Sequence, residues 1–158
     1  MTRLLGIDLG TRRIGLAIAE TAAPGDRTSV GAAIRPLATI SRGTALRDAT
    51  TIARVAEEQR VDEIVVGLPL RLDGAEAEMA QRARAWAEAV LGPLGLPVSF
   101  RDERLTTERA SARLRPPRRG RAGGPPSAAR RGAHRQSLDR EAAAIILQAE
   151  LDARAAAS

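Results

Sequence analysis

The chain contains no cysteine, no tyrosine and no lysine, and its aromatic side chains are one tryptophan and one phenylalanine. Without cysteine there are no disulfides, thiolate metal ligands or thiol nucleophiles, which fits a reducing compartment; the expected localisation is cytoplasmic. No apolar run approaches the roughly 20 residues that span a bilayer, so no membrane partner is expected. Met1-Thr2-Arg3 leads straight into a strand-like segment ending at Asp8, which argues against a signal peptide. The scarcity of aromatics, the abundance of alanine and the use of arginine for every basic position point to a biased nucleotide composition rather than to a function.

What remains is 158 residues, 44% hydrophobic, with 25 basic and 19 acidic side chains and a net charge of +6. That length suits a single domain, 1–158, with enough apolar residues for a core. The positive charge is local. Leu114 to Gln136 carries seven arginines (Arg115, Arg118, Arg119, Arg121, Arg130, Arg131 and Arg135) and no acid; without it the chain would sit near −1. Four prolines and four glycines in the same stretch argue against helix or strand, so a flexible arginine-rich loop is expected at about 114–136. Clustered arginines suit phosphate backbones through bidentate hydrogen bonds and counterion release. The competing reading is a solvated insertion driven by composition. Lacking interleaved aromatics, such contacts should be indifferent to sequence.

Periodicity gives an order of elements. Leu4 to Leu9 is a short apolar strand, and Arg13 to Ala19 alternates, with a turn at Gly10-Thr11-Arg12 between them. A third strand runs near Gly31 to Ile40, where Pro36 implies an edge or a bulge. Thr44 to Gln59 reads as a helix with Leu46, Ala49, Ala53 and Ala56 on one face. Asp62 to Gly67 reads as a buried strand, and Asp73 to Leu91 as a helix with the stripe Ala75, Met79, Ala83, Trp86 and Val90. Val98 to Arg101 is a strand and Thr106 to Leu114 a helix. A final helix to about Arg154 starts with Ser137 as its cap and turns Leu138, Ala142, Ile145, Ile146 and Ala149 inward. Three antiparallel strands followed by alternating helices and strands imply an α/β fold with a mixed sheet covered on both faces.

Three acids resist a purely structural explanation. Asp8 interrupts an apolar strand, where an unpaired charge would cost several kcal/mol. Glu103 stands at the end of the Val98 to Arg101 strand; a surface ion pair with Arg101 or Arg104 is its bland alternative. Asp139 is expected in the first turn of the last helix, on the face of Ala142, Ala143 and Ile146, where a helix N-terminus alone would favour it by about 0.3–1 kcal/mol. Brought to one edge of a mixed sheet, the three form an oxygen-only site suited to Mg²⁺ or Mn²⁺. Paired divalent ions can activate water for phosphodiester hydrolysis without a histidine, cysteine or serine nucleophile, and the arginine loop would hold a polyanionic substrate over them.

The string GIDLGTRRIGLAIAE (Gly6 to Glu20) resembles the first hairpin of RNase H-like nucleases. With VVGLPLRLDG (Val65 to Gly74), DERLTTERA (Asp102 to Ala110) and LDREAAAIILQAELD (Leu138 to Asp152), in this order, the chain resembles the YqgF/RuvX family. That family is assigned to Holliday junction resolution and to 5′-end maturation of pre-16S rRNA. The resemblance implies an RNase H-like five-stranded mixed sheet, three antiparallel strands then two parallel, with helices on both faces. It also implies metal-dependent cleavage of structured nucleic acid, an rRNA precursor or branched DNA, with ribosomal assembly factors as further partners. The family's acidic positions fall on Asp8, Glu103 and Asp139, with Asp102 the alternative second ligand on the opposite strand face. Gly10 and Gly15 would keep the hairpin backbone near metal and substrate, and Gly67-Leu68-Pro69 would shape the rim. Glu20 and Glu150 depart from the family pattern, the latter standing where an aromatic is expected, and the loop before Asp139 is long and rich in proline.

Arg12, Arg13 and Arg104 are candidates for phosphate contact near the metals, against solvated surface arginines. His134 is a candidate for assisting proton transfer, against a bystander. Trp86 is expected in the core. An ATP-binding actin or sugar-kinase relative fits Asp8 to Gly15 but needs two such domains. A non-catalytic binding module of the same fold has no need of the acidic triad. A junction resolvase requires two active sites and hence a homodimer, whereas an RNA nuclease can act as a monomer.

Overall fold

The computed structural model describes residues 1–22, 32–68, 74–102 and 106–157, and the side chains of 74–76, 106–108 and 121 are outside that description. Among the described residues nine principal elements follow one another: β1 (Thr2–Leu9), β2 (Arg13–Thr21), β3 (Ala33–Ser41), α1 (Ala45–Glu58), β4 (Glu63–Leu68), α2 (Gly74–Leu91), β5 (Val98–Asp102), α3 (Thr106–Arg113) and α4 (Ala128–Ala156). The five strands form one sheet in the order β3-β2-β1-β4-β5. β2 is antiparallel to both β1 and β3, while β4 runs parallel to β1 and to β5. This is the expected mixed sheet. β3 is an edge strand, and its register slips between Leu16 and Ala17 of β2, whose partners are Ala38 and Pro36. A proline lacking an N–H is tolerated at such an edge bulge.

The strand period of two sorts side chains to two faces. Leu5, Ile7, Ile14, Leu16, Ile18, Ile64 and Val66 pack against Ile52 and Ala56 of α1 and Trp86, Val90 and Leu91 of α2. The other face, with Leu4, Ala17, Ala19 and Val65, is covered by Ala143, Ala144, Ile146 and Leu147 of α4. Each fully buried Leu or Ile contributes about 1.5–3 kcal/mol, so both faces stabilise the sheet. Small side chains dominate the second face, and α4 lies close. A Cβ on Gly6 would come within 2.8 Å of the Ala143 carbonyl oxygen, and one on Gly15 within 2.0 Å of the Asp139 carbonyl oxygen.

Five expectations are corrected. The arginine-rich segment is not loop throughout: α4 starts at Ala128, so Arg130, Arg131 and Arg135 are helical, and the irregular stretch ends at Ser127. All the prolines precede Ser127, and Gly132 alone costs a helix only about 1 kcal/mol. Ser127, not Ser137, is the cap; its hydroxyl accepts from the Arg130 N–H at 3.3 Å. Asp139 is therefore twelve residues into α4, beyond the reach of the helix terminus. In α1 the inward face is Asp48, Ile52 and Ala56, and Leu46 is exposed. Asp48 is buried because it accepts from the Gly43 N–H (2.8 Å) and from the Trp86 indole (3.1 Å). Trp86 thus belongs to the core as expected, together with Ala83 and Val90, but Met79 stands half exposed at the near end of α2.

Candidate active site

Asp8 is the penultimate residue of β1 and lies directly across from Gly15 of β2. Residues so paired project to the same face, here the α4 face shared by Leu4, Gly6, Ala17 and Val65. Gly15 in turn touches the Asp139 backbone, leaving no room for a side chain. One glycine therefore has Asp8 of β1 as its strand partner and the Asp139 backbone of α4 as its neighbour across the sheet face. An alanine there would have to push the helix off the sheet.

Asp139 is partly exposed and carries an ion pair: the Arg13 Nε donates to its Oδ2 at 2.5 Å. Arg13 begins β2, two residues before Gly15, so the alternation that points Gly15 at α4 also points Arg13 there. Arg12 is exposed at the turn, and its carbonyl accepts from the Arg42 N–H at 2.9 Å.

Glu103 and Arg104 lie outside the described residues. Asp102, the alternative second ligand, ends β5 two residues after Phe100, and Val98 and Phe100 pack on the α1–α2 face. Alternation places Asp102 on that face and Arg101 on the α4 face, in register with Gly67. Among the described residues no three His, Cys, Asp or Glu side chains cluster at metal-ligand spacing. The two placed carboxylates are hard oxygen donors of the type that Mg²⁺ and Mn²⁺ take, and fit such an ion as part of its ligand set.

Arg101 has another role. Its Nε donates to Glu150, a carboxylate only 3% exposed on α4. Arg154 donates to the same carboxylate at 2.7 Å and to Glu63 of β4 at 2.6 Å. Burial pushes the Glu150 carboxyl up, but hydrogen bonds and charge from Arg101 and Arg154 outweigh it and hold the pKa below the usual carboxylate value. The hydrogen bond to Glu63, aided by Glu150, raises that of Arg154. This four-residue network ties α4 to β4 and β5 behind the site. In the sequence Glu150 stands out only as a departure from the family pattern; its spacing of four from Arg154 is the one local signal of this pairing.

The arginine-rich segment divides by use. The Arg130 Nη1 donates to the carbonyls of Arg119 (2.7 Å) and Arg118 (3.4 Å), Arg131 to that of Pro126, and Arg119 to that of Gly123 (3.3 Å). These three brace their own loop against α4. Arg115, Arg118 and Arg135 are exposed on the surface, and the Arg121 side chain lies outside the described residues. His134 is part-buried in α4, in a shallow cleft with Pro117, Arg118 and Arg130, and stands five residues before Asp139.

Comparison with known proteins gives one consistent picture. A family model described as "RuvX: Holliday junction resolvase" matches residues 2–153. A protein of Anaeromyxobacter sp. (strain K) named "Putative pre-16S rRNA nuclease" is 42% identical over 153 residues, covering 97% of this chain and 98% of its own. One of the same name from Myxococcus xanthus is 35% identical over 151 residues, covering 96% and 88%. Among solved structures, Thermus thermophilus RuvC in complex with a Holliday junction substrate superposes with a TM-score of 0.54 at 13% identity, over 96% of this chain and 95% of RuvC. A second structure of that RuvC gives 0.52 at 15% identity, covering 92% of both chains. At such identities the likeness is one of fold, and the fold is RNase H-like.

Proposed function

The chain belongs to the RuvX family, and from that premise we propose that it is a nuclease that hydrolyses phosphodiester bonds of structured nucleic acid, with the 5′ end of pre-16S rRNA as its substrate. The observation that supports this is that Gly15 pairs with Asp8 in the sheet and touches the backbone of Asp139, which makes the two acids neighbours through one residue. A binding module of the same fold has no use for two carboxylates on one site, since they would repel a phosphate. Asp8 and Asp139, with Glu103 as the third acid, would hold Mg²⁺ or Mn²⁺. When bound, such ions supply a nucleophilic water near neutral pH and neutralise charge on the leaving oxygen.

The chain's own residues supply the rest. Gly15 lets α4 seat Asp139 beside Asp8, and the Glu150 network fixes α4 relative to β5, whose end leads to Glu103. Arg13 balances the charge of Asp139 and stands within reach of a phosphate at that position. Arg115, Arg118 and Arg135 offer surface charge to the flanking backbone; Arg12, Arg104 and Arg121 are further candidates. A cytoplasmic location and ribosomal assembly factors as neighbours follow from the same reading. Four-way junction DNA is the second reading, supported by the description of the family model, and it would require a dimer with two sites.

Cleavage of a labelled pre-16S 5′ end and of a four-way DNA junction, side by side with Mg²⁺, Mn²⁺ or EDTA, tests this. Metal-dependent cutting of the RNA that Asp8→Asn abolishes at unchanged melting temperature is the expected result. Cutting of the junction alone would favour the second reading. Undiminished cutting by Asp8→Asn would overturn the assignment of the carboxylates.

A further inference from the structure

At the end of the sheet where Asp8 stands, a cleft of about 330 Å³ opens between the β1–β2 turn and α2. Leu9, Gly10 and Gly67 contribute strand ends to it, and Arg42, Met79 and Arg82 contribute side chains. Leu9 and Gly10 directly follow Asp8, so the cleft opens at the same strand terminus, on the α2 side of the sheet, while Asp8 projects to the α4 side.

The lining has the chemistry of a nucleotide site. Met79 exposes 50% of its surface although the helical stripe to which it belongs is buried from Ala83 onward. An unbranched thioether in a concavity offers a polarisable, adaptable surface against which a flat ring can lie. Arg42 is set in place at two points: its Nη1 donates to the Gly10 carbonyl at 3.0 Å, and its backbone N–H to the Arg12 carbonyl at 2.9 Å. A guanidinium has five donors, so this anchoring orients the group and leaves it capacity for phosphate oxygens. Arg82, bridged to Glu78 at 2.9 Å, stands on the rim. The volume is that of a small-ligand pocket, on the order of 300 Å³ and upward.

A base inside a duplex cannot enter such a cleft, because its faces are stacked and its edge is paired. We propose that this cleft receives an unpaired nucleotide of the substrate strand next to the bond that is cut, its base against Met79 and its phosphate on Arg42. The protein would thereby select substrates with a single-stranded flank at the cut. This rests on the nuclease reading and adds to it a determinant of substrate class.

The test uses the full chain carrying Asp8→Asn, so that binding is read without cleavage. Fluorescence anisotropy would compare a blunt RNA duplex with the same duplex bearing a short unpaired extension at its 5′ or its 3′ end. One extended probe should bind more tightly than the blunt one. Adding Met79→Ala or Arg42→Gln should weaken that probe about five- to tenfold, the loss expected when one base forfeits its stacking surface, and leave the blunt duplex unchanged. Met79 is exposed, so its variant should melt with the parent and carries the test even if the Arg42 variant is poorly folded. Equal binding of blunt and extended probes, or a preference that survives Met79→Ala, would overturn the proposal. Failure to bind any probe would overturn the nuclease reading beneath it.

Discussion

Arg13 and Asp139 illustrate how a single pair links the fold to its chemistry. The pair is partly exposed, and exposed ion pairs contribute little to stability, in general under about 1 kcal/mol. Its importance lies in where the charge sits. A guanidinium on a prospective metal ligand competes with a divalent cation for the same oxygen. On the nuclease reading, Arg13→Gln should tighten Mn²⁺ binding to the substrate-free protein about two- to fivefold, in keeping with a partly exposed pair, while slowing cleavage. Titration calorimetry reads the first effect and single-turnover kinetics the second. Weaker Mn²⁺ binding would instead show that Arg13 serves to hold Asp139 in place. Gly15 is the other residue on which the site turns, and its reason is steric. Both lie in the string that suggests the hairpin, and Asp139 is itself a sequence candidate; what the sequence does not show is that Asp139, far along the chain, is the partner of both.

Among the elements, α4 carries most of the consequences. Of its expected apolar face, Ala142, Ile145 and Ile146 are buried while Leu138 and Ala149 are only partly so, and the helix starts earlier than expected, at Ala128. Proline and glycine content averaged over Leu114 to Gln136 hid a sharp boundary at Ser127, because a cap acts at one residue whereas composition is a property of a window. Inside this helix Glu150 joins β5 and β4 through Arg101 and Arg154. Removing one partner of a buried charge network leaves the others uncompensated, so Glu150→Gln should destabilise the protein by about 1–3 kcal/mol, below the fully buried case because Arg101 and Arg154 reach solvent. Because the folded-state pKa of Glu150 is depressed, its contribution is present above the ordinary carboxylate pKa of 4.5 and is lost as pH falls through the lower folded value. Urea denaturation should therefore show a deficit for Glu150→Gln at neutral pH that narrows below pH 4.5. A deficit that stays constant to strongly acidic pH would mean that the carboxylate's charge contributes nothing.

For the molecule as a whole, charge and topology divide the surface. Exposed Arg115, Arg118 and Arg135 stand apart from Arg119, Arg130 and Arg131, which brace the loop. Replacing the first three with glutamine should flatten the salt dependence of RNA binding by nearly one log-log unit for each phosphate that is no longer neutralised, without altering the melting temperature. An unchanged slope would leave that surface without a role in binding. The order of the elements, the mixed sheet and the family were determined by the sequence alone, and Pro36 pointed to an edge or a bulge in β3, where the structure has both. Strand and helix periods, proline's missing N–H and a four-part motif are local properties that one chain displays without its partners. The tertiary structure alone decided that Asp139 meets Arg13, that Glu150 and Asp48 are buried with partners, that Arg130 is spent on its own loop, and that Met79 faces a cleft. Each of those depends on residues far apart in the chain meeting one another, and they meet only once the sheet has set the distances between its elements.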